Sequence, residues 1–150
     1  MGSVEEFIAE SNAIEGIHRP PSEAEIAEYE RFMALDDVTI ADLEIFVSVY
    51  QPGARLRIAQ SDNVRIGKHI PPHGGMNILY LLEDLLNAID EDTPYRSHAA
   101  YEGIHPFTDC NGRSGRMLWA WHMNKLGLST ALGFLHTFYY QTLAQEHEHG

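Results

Sequence analysis

The sequence predicts an all-α domain interrupted by one β-hairpin. Apolar residues recur at helical spacing through most of the chain, and two Ser/Thr-x-x-Glu/Asp capping signals open helical runs. Only residues 55–66 instead alternate around a polar turn.

Residues 4–15 place Val4, Phe7, Ile8 and Ile14 near helical spacing, and Gly16 stands where a helix would stop. Ser22 and Glu25 form a capping box that opens a helix running to about Leu35. Thr39 and Asp42 resemble a second box; the apolar run behind them reaches Val49 and ends at Gln51-Pro52-Gly53. In residues 55–66, Leu56 and Ile58, then Val64 and Ile66, flank Gln60-Ser61-Asp62-Asn63, the pattern of a hairpin. Beyond Pro71-Pro72-His73-Gly74-Gly75, helical spacing returns at Met76, Leu79, Leu82, Leu85, Leu86 and Ile89. Pro94 suits the first turn of a helix reaching about Ile104. Residues 105–112 are too rich in turn formers for a helix. Another runs from about Arg113 to Leu126, closed by Gly127, and a last one from about Thr130 to Gln145.

With 150 residues, 44% of them hydrophobic, residues 1–150 make a single domain able to bury a core. Ten Lys and Arg against 22 Asp and Glu leave a net charge of −12, which argues against nucleic acid as a partner but not against a small anion held by a few arginines. The single cysteine, Cys110, cannot form an intramolecular disulfide and fits a reducing compartment. No run approaches the roughly 20 apolar residues that span a bilayer. The first ten residues carry three glutamates where a secretion signal needs positive charge, and Glu6 spoils the lipidation pattern of Met1-Gly2. The expectation is a cytoplasmic protein without a membrane partner, its oligomeric state left open.

The chemistry gathers in His105-Pro106-Phe107-Thr108-Asp109-Cys110-Asn111-Gly112-Arg113-Ser114-Gly115-Arg116. A helix start offers unpaired N–H groups and the positive end of the helix dipole, a cradle for phosphate. Arg113 and Arg116, three apart, share nearly one face of the first turn; two cations there repel each other and oppose the dipole unless an anion is bound. Asp109 is a hard oxygen ligand suited to Mg²⁺ shared with phosphates, and His105 can take a proton near neutral pH. Singly, these residues read as a structural histidine, a helix cap and surface charges. Together they describe a nucleotide-phosphate site with its own base. Met117, Trp119, Trp121 and Met123 read as core.

This stretch resembles the Fic family motif, His-Pro-Phe-x-Asp/Glu-Gly/Ala-Asn-Gly-Arg-x-x-Arg, at eight of nine defining positions, Cys110 being the departure. The resemblance covers most of the chain. Residues 55–66, with Asn63, Val64, Arg65 and Ile66 at their end, correspond to the family's flap. Ser11-Asn12-Ala13-Ile14-Glu15-Gly16 resembles its inhibitory motif, Ser/Thr-x-x-x-Glu-Gly/Asn, which makes residues 1–16 an inhibitory helix.

The resemblance implies a Fic-type helical domain that transfers AMP from ATP to a Ser, Thr or Tyr hydroxyl of a protein target, with ATP and Mg²⁺ as cofactors and pyrophosphate released. It implies His105 as general base, Asp109 as the Mg²⁺ ligand, Asn111, Gly112 and Arg113 as the phosphate cradle, and Arg116 as the grip on the γ-phosphate. Phe107 would anchor the loop. Glu15 would take the γ-phosphate's place on Arg116, with Ser11 one turn back on the same face. Residues 63–66 would align the target by strand addition. Because the family accepts alanine where Cys110 stands, a Cβ is expected there without a positive φ; the thiol either crowds the phosphates or turns away. Two alternatives stand beside this reading: removal of AMP by a water that Glu15 orients, and a nucleotide-binding regulator with low activity because of Cys110. Phosphoryl transfer goes with lysine at the Gly112 position and is disfavoured.

Overall fold

The computed structural model describes residues 3–128, which form six α-helices: α1 (Ser3–Ile14), α2 (Glu23–Met33), α3 (Ile40–Tyr50), α4 (Met76–Asn87), α5 (Pro94–Ile104) and α6 (Asn111–Lys125). A 3₁₀ turn, Ile89–Glu91, separates α4 from α5. The helix expected at residues 130–145 lies outside the described residues. Both capping boxes form. Ser22 Oγ accepts the Glu25 N–H at 3.1 Å while the Glu25 carboxylate accepts the Ser22 N–H at 2.8 Å. Thr39 and Asp42 make the same exchange at 3.3 and 3.0 Å. Pro94 opens α5 behind a Thr93 cap.

The axis of the fold is α6, packed against α1, α2, α3 and α5. Its residues from Met117 to Met123 are buried on every side, so no solvent face survives to give the helix a polar stripe. Around it, α2 and α3 contribute Phe32, Leu43, Phe46 and Tyr50. The Phe46 and Tyr50 rings stack at 4.1 Å and Phe32 meets Phe46 edge-on at 5.8 Å.

Helix α1 buries Phe7, Ile8, Ser11 and Asn12 against α2 and α6. It ends in a two-bond glycine turn: Gly16 adopts φ 78°, its N–H reaches Ala13 O at 3.0 Å, and the Ile17 N–H reaches Asn12 O at 3.0 Å. Two side chains then tie this end to α2. Asn12 Nδ2 donates to the Glu25 carboxylate at 3.3 Å, and Arg19 grips the same carboxylate at 2.7 and 3.2 Å. Burial works to raise the Glu25 pKa, but Arg19, the Ser22 amide and Asn12 together hold it below the usual carboxylate value.

Residues 55–66 do not form the expected hairpin. Their backbone pairs with the loop before α6 instead: Leu56 bridges Phe107, the Arg57 N–H reaches Pro106 O at 2.9 Å, and the Thr108 N–H reaches Arg55 O at 2.7 Å. Asp62 closes a turn by accepting the Ala59 N–H at 3.2 Å, and it pairs with Arg55. Ile66 bridges only His69. The physical reason lies in burial. Leu56 is buried, but Ile58 and Ile66 are 45% and 48% exposed, while Arg57 is sealed inside. Without a common apolar face, nothing fixes a strand register.

Among the described residues no helix is long and apolar enough to cross a membrane.

An added Cβ at Gly16 would meet nothing within 4 Å, so the whole penalty of a side chain there is conformational. Gly16→Ala should cost about 1 kcal/mol of stability, read as a lower midpoint of urea unfolding at unchanged slope. An unchanged midpoint would contradict the left-handed turn.

Candidate functional site

The loop between α5 and α6 is built by its two ends. His105 closes α5 in a left-handed conformation, φ 51°, with its N–H on Tyr101 O at 3.0 Å. Phe107 is buried in the core, as expected of an anchor. The Asn111 side chain fixes the turn around it, accepting the Phe107 N–H at 2.9 Å and donating to Phe107 O at 2.8 Å. Both ends of that amide are therefore engaged by the loop backbone, each with one hydrogen-bonding position to spare. Helix α6 begins two residues earlier than the spacing predicts, which puts Asn111 and Gly112 in its first turn. Asp109 is exposed and accepts the Cys110 N–H at 2.7 Å.

Cys110 corrects the expectation drawn from the resemblance. It adopts φ 71°, a conformation that costs a non-glycine residue about 1–2 kcal/mol. The side chain is buried within the core cluster, and that burial pushes its thiol up to about 11.

Ser11, Glu15 and Arg116 come together across a hundred residues of sequence. Arg116 Nε donates to Ser11 Oγ at 2.7 Å, and Nη2 donates to Ser11 O at 2.9 Å and to Glu15 Oε1 at 2.7 Å. The Arg116 side chain is 1% exposed and that of Glu15 39%. Gly112 lies directly beneath this pair. A Cβ there would run into the Glu15 carboxylate and come within 3.1 and 3.2 Å of the Arg116 terminal nitrogens, so a side chain at this position would push the Glu15 carboxylate from its place. A carboxylate thus rests at the first turn of α6, where the dipole's positive end and a buried cation converge.

Arg113 takes a different direction from the shared face predicted by its spacing. Its guanidinium donates to Tyr50 O at 3.0 Å and to Gln51 Oε1 at 2.8 Å, capping the end of α3, while its buried Nε has no hydrogen-bond partner. Of the loop residues expected to align a target, Asn63 accepts the Gly74 N–H at 2.9 Å, Val64 is half-buried, and Arg65 and Ile66 are exposed. They sit on an irregular loop, not a strand. Among the described residues no group of three or more His, Cys, Asp or Glu is arranged to hold a metal. A lone carboxylate such as Asp109 suits an ion that arrives with phosphates.

Burial, the Arg57 cation and His69 push the His105 proton affinity down to about 4, with Asp109 acting in the opposite direction. The imidazole is therefore neutral at pH 7 and able to accept a proton. Three further residues went unnoticed in the sequence. His98 is buried on α5, its Nδ1 3.1 Å from Gly115 O, and burial takes its pKa down to about 4. Glu102, one turn on, lies beside Arg116 and is pushed up to about 8 by burial. Their i, i+4 spacing was a signal available to the eye. Arg57 carried none, since it stands inside the alternating segment.

Two outcomes follow from these environments. His105 and His98 keep depressed pKa values in the folded state, so the unfolded chain takes up protons first; their contribution to stability is complete above about pH 6.5 and is lost as pH falls toward 4. The His105 ring signal in NMR should titrate near 4, and a midpoint near 6.5 would contradict the burial. Cys110, buried and holding its proton, should react with an aromatic disulfide reagent about 100-fold more slowly in native than in unfolded protein at pH 8. Equal rates would place the thiol in solvent.

The arrangement of helices has a counterpart of known structure. The chain is similar to a Fic family protein from Desulfovibrio desulfuricans G20, with a TM-score of 0.57 and 20% identity, covering 82% of this chain and 48% of that one. At that identity the likeness is one of fold: all-α and Fic-like. This chain spans about half the length of that protein. No family model matches the sequence, and no curated protein does.

Proposed function

We propose that the chain is a protein adenylyltransferase, transferring AMP from ATP to a Ser, Thr or Tyr hydroxyl of a protein target, and that Glu15 holds it off. The observation that carries this reading is the Glu15–Arg116 ion pair over Gly112. An internal anion already rests on Arg116 at the helix start, which supports a site for an anionic ligand there. The Fic-like fold and the motif at residues 105–116 supply the chemistry.

When bound, ATP supplies the AMP group and Mg²⁺ neutralises its phosphates. Asp109 would hold the metal, and Arg116 with Asn111 and the main chain at Gly112 would hold the phosphates. Arg113, engaged with α3, keeps the first turn of α6 in place and has donors to spare for a phosphate, its buried Nε among them. Neutral His105 takes the proton of the target hydroxyl as that oxygen bonds to the α-phosphorus and pyrophosphate leaves. Residues 63–66 would align the target beside it. A second reading is favoured by the partial exposure of Glu15 beside Gly112, where its carboxylate could orient a water that removes AMP from a modified target.

The test is a transfer assay on cell lysate with ATP labelled at the α- or the γ-phosphate. Glu15→Gly should raise α-label incorporation at least about tenfold, within the usual range of coupling between two sites, with no γ-label transferred. His105→Ala should abolish transfer while ATP still binds, and Arg116→Ala should stay inactive when combined with Glu15→Gly. Transfer of γ-label would mean a phosphoryl transferase. No label at all from a folded, ATP-binding Glu15→Gly protein would overturn the reading.

A further inference from the structure

Arg57 takes no part in the steps derived above, yet it is a fully buried charge, 0% exposed. Its guanidinium makes no ion pair among the described residues and meets four main-chain carbonyls instead. Nε donates to His105 O at 2.5 Å, Nη2 to Ile104 O at 2.9 Å and Pro72 O at 3.0 Å, and Nη1 to Asp62 O at 2.7 Å. Its own main chain is paired as well, the N–H with Pro106 O and the carbonyl with the Gly75 N–H, each at 2.9 Å. Two segments are thereby clasped: the end of α5 with His105, and the loop from residue 59 to 73.

The position has a physical logic. The Ile104 and His105 carbonyls belong to the last turn of α5, where carbonyls lack helical partners and the dipole is negative. A cation that donates to both is the natural cap. His105 is also held in a left-handed conformation that is unfavourable for a side chain and persists only when its surroundings over-determine it. Arg57 supplies that constraint from the carbonyl side, while Tyr101 O supplies it from the amide side. Its charge next to the imidazole further disfavours protonation of His105.

We propose that Arg57 is a positioning residue for the transfer reaction, locking His105 in its left-handed turn and joining it rigidly to the loop that carries residues 63–66. Docking of a target on that loop and placement of the proton acceptor are then one geometric event. The role rests on the reading of His105 as general base. It differs from a simple helix cap because Asp62 O and Pro72 O, which belong to no helix end, take half of the side chain's hydrogen bonds.

The experiment uses the full chain carrying Glu15→Gly, with Arg57→Lys and Arg57→Gln added separately. Each variant is characterised by circular dichroism, ATP affinity, kcat and KM, and the ring signals of His105. An ammonium cannot span four carbonyls, so Arg57→Lys should lower kcat about 100-fold with ATP affinity unchanged. Arg57→Gln should lower it further and move the His105 midpoint up from about 4, since the neighbouring charge is gone. Unchanged kcat in Arg57→Lys, or kcat and ATP affinity falling together, would overturn the proposal. If Arg57→Gln does not fold, Arg57→Lys decides alone. If the Glu15→Gly parent transfers nothing, the adenylyltransferase reading fails by itself. The His105 ring signals then decide the positioning role: shifted signals in Arg57→Lys support it, and unmoved signals overturn it.

Discussion

A guanidinium sealed against the first turn of a helix needs an anion, and Arg116 finds one in Glu15. The cation sits at the positive end of the α6 dipole, which makes its solitary burial doubly unfavourable. Much of the surrounding architecture answers to that demand. Helix α1 packs Phe7 and Ile8 into the core and so delivers Ser11 and Glu15 to the arginine. The left-handed Gly16 stops the helix one residue beyond Glu15. Gly112 leaves room for the carboxylate to lie against the backbone. On the far side, Glu102 is close to Arg116, but burial raises its pKa to about 8, so at neutral pH it is largely protonated and leaves the charge to Glu15.

The two fully buried arginines are satisfied in different ways. Arg57 is satisfied by carbonyls of the main chain, which cannot be exchanged for anything else without dismantling the loop. Arg116 is satisfied in part by a side chain just past the end of α1 that is itself more than a third exposed. The first arrangement suits a scaffold that holds a base in one place. The second suits a partner that a ligand can replace, because the substitute needs only negative charge and the right position. Helix α1 is further held by Asn12 and Arg19 on Glu25, so loss of the Glu15 contact need not release the whole helix.

The helices were legible because their signals are local. Ser22 with Glu25 and Thr39 with Asp42 state where chains of helical hydrogen bonds begin, and Gly16 and Gly127 where they end. The juxtaposition of Ser11, Glu15 and Arg116 was legible only through a motif, since spacing says nothing about residues a hundred positions apart. What escaped the sequence depends on burial that pattern alone misreports. Alternation at residues 56–66 suggested strands, but the buried members of that stretch are Leu56 and Arg57, neighbours that a strand would send to opposite faces. Arg113 was placed beside Arg116 by its spacing of three, and the open carbonyl of Tyr50 claimed it instead. The positive φ of Cys110 has no signature in a cysteine at all.

The claim on which everything rests is that Glu15 and a nucleotide phosphate compete for Arg116. The most direct measurement is the rise in melting temperature caused by a fixed concentration of Mg²⁺–ATP in the wild-type chain, Glu15→Gly and Arg116→Ala. At a fixed concentration, a ligand raises the melting temperature more the tighter it binds the folded state, so removing an internal competitor must enlarge the rise. Competition for Arg116 requires a larger rise in Glu15→Gly than in wild type, and a smaller one in Arg116→Ala than in either. Equal rises in wild type and Glu15→Gly would show that the carboxylate and the phosphate do not share a place, and would contradict it.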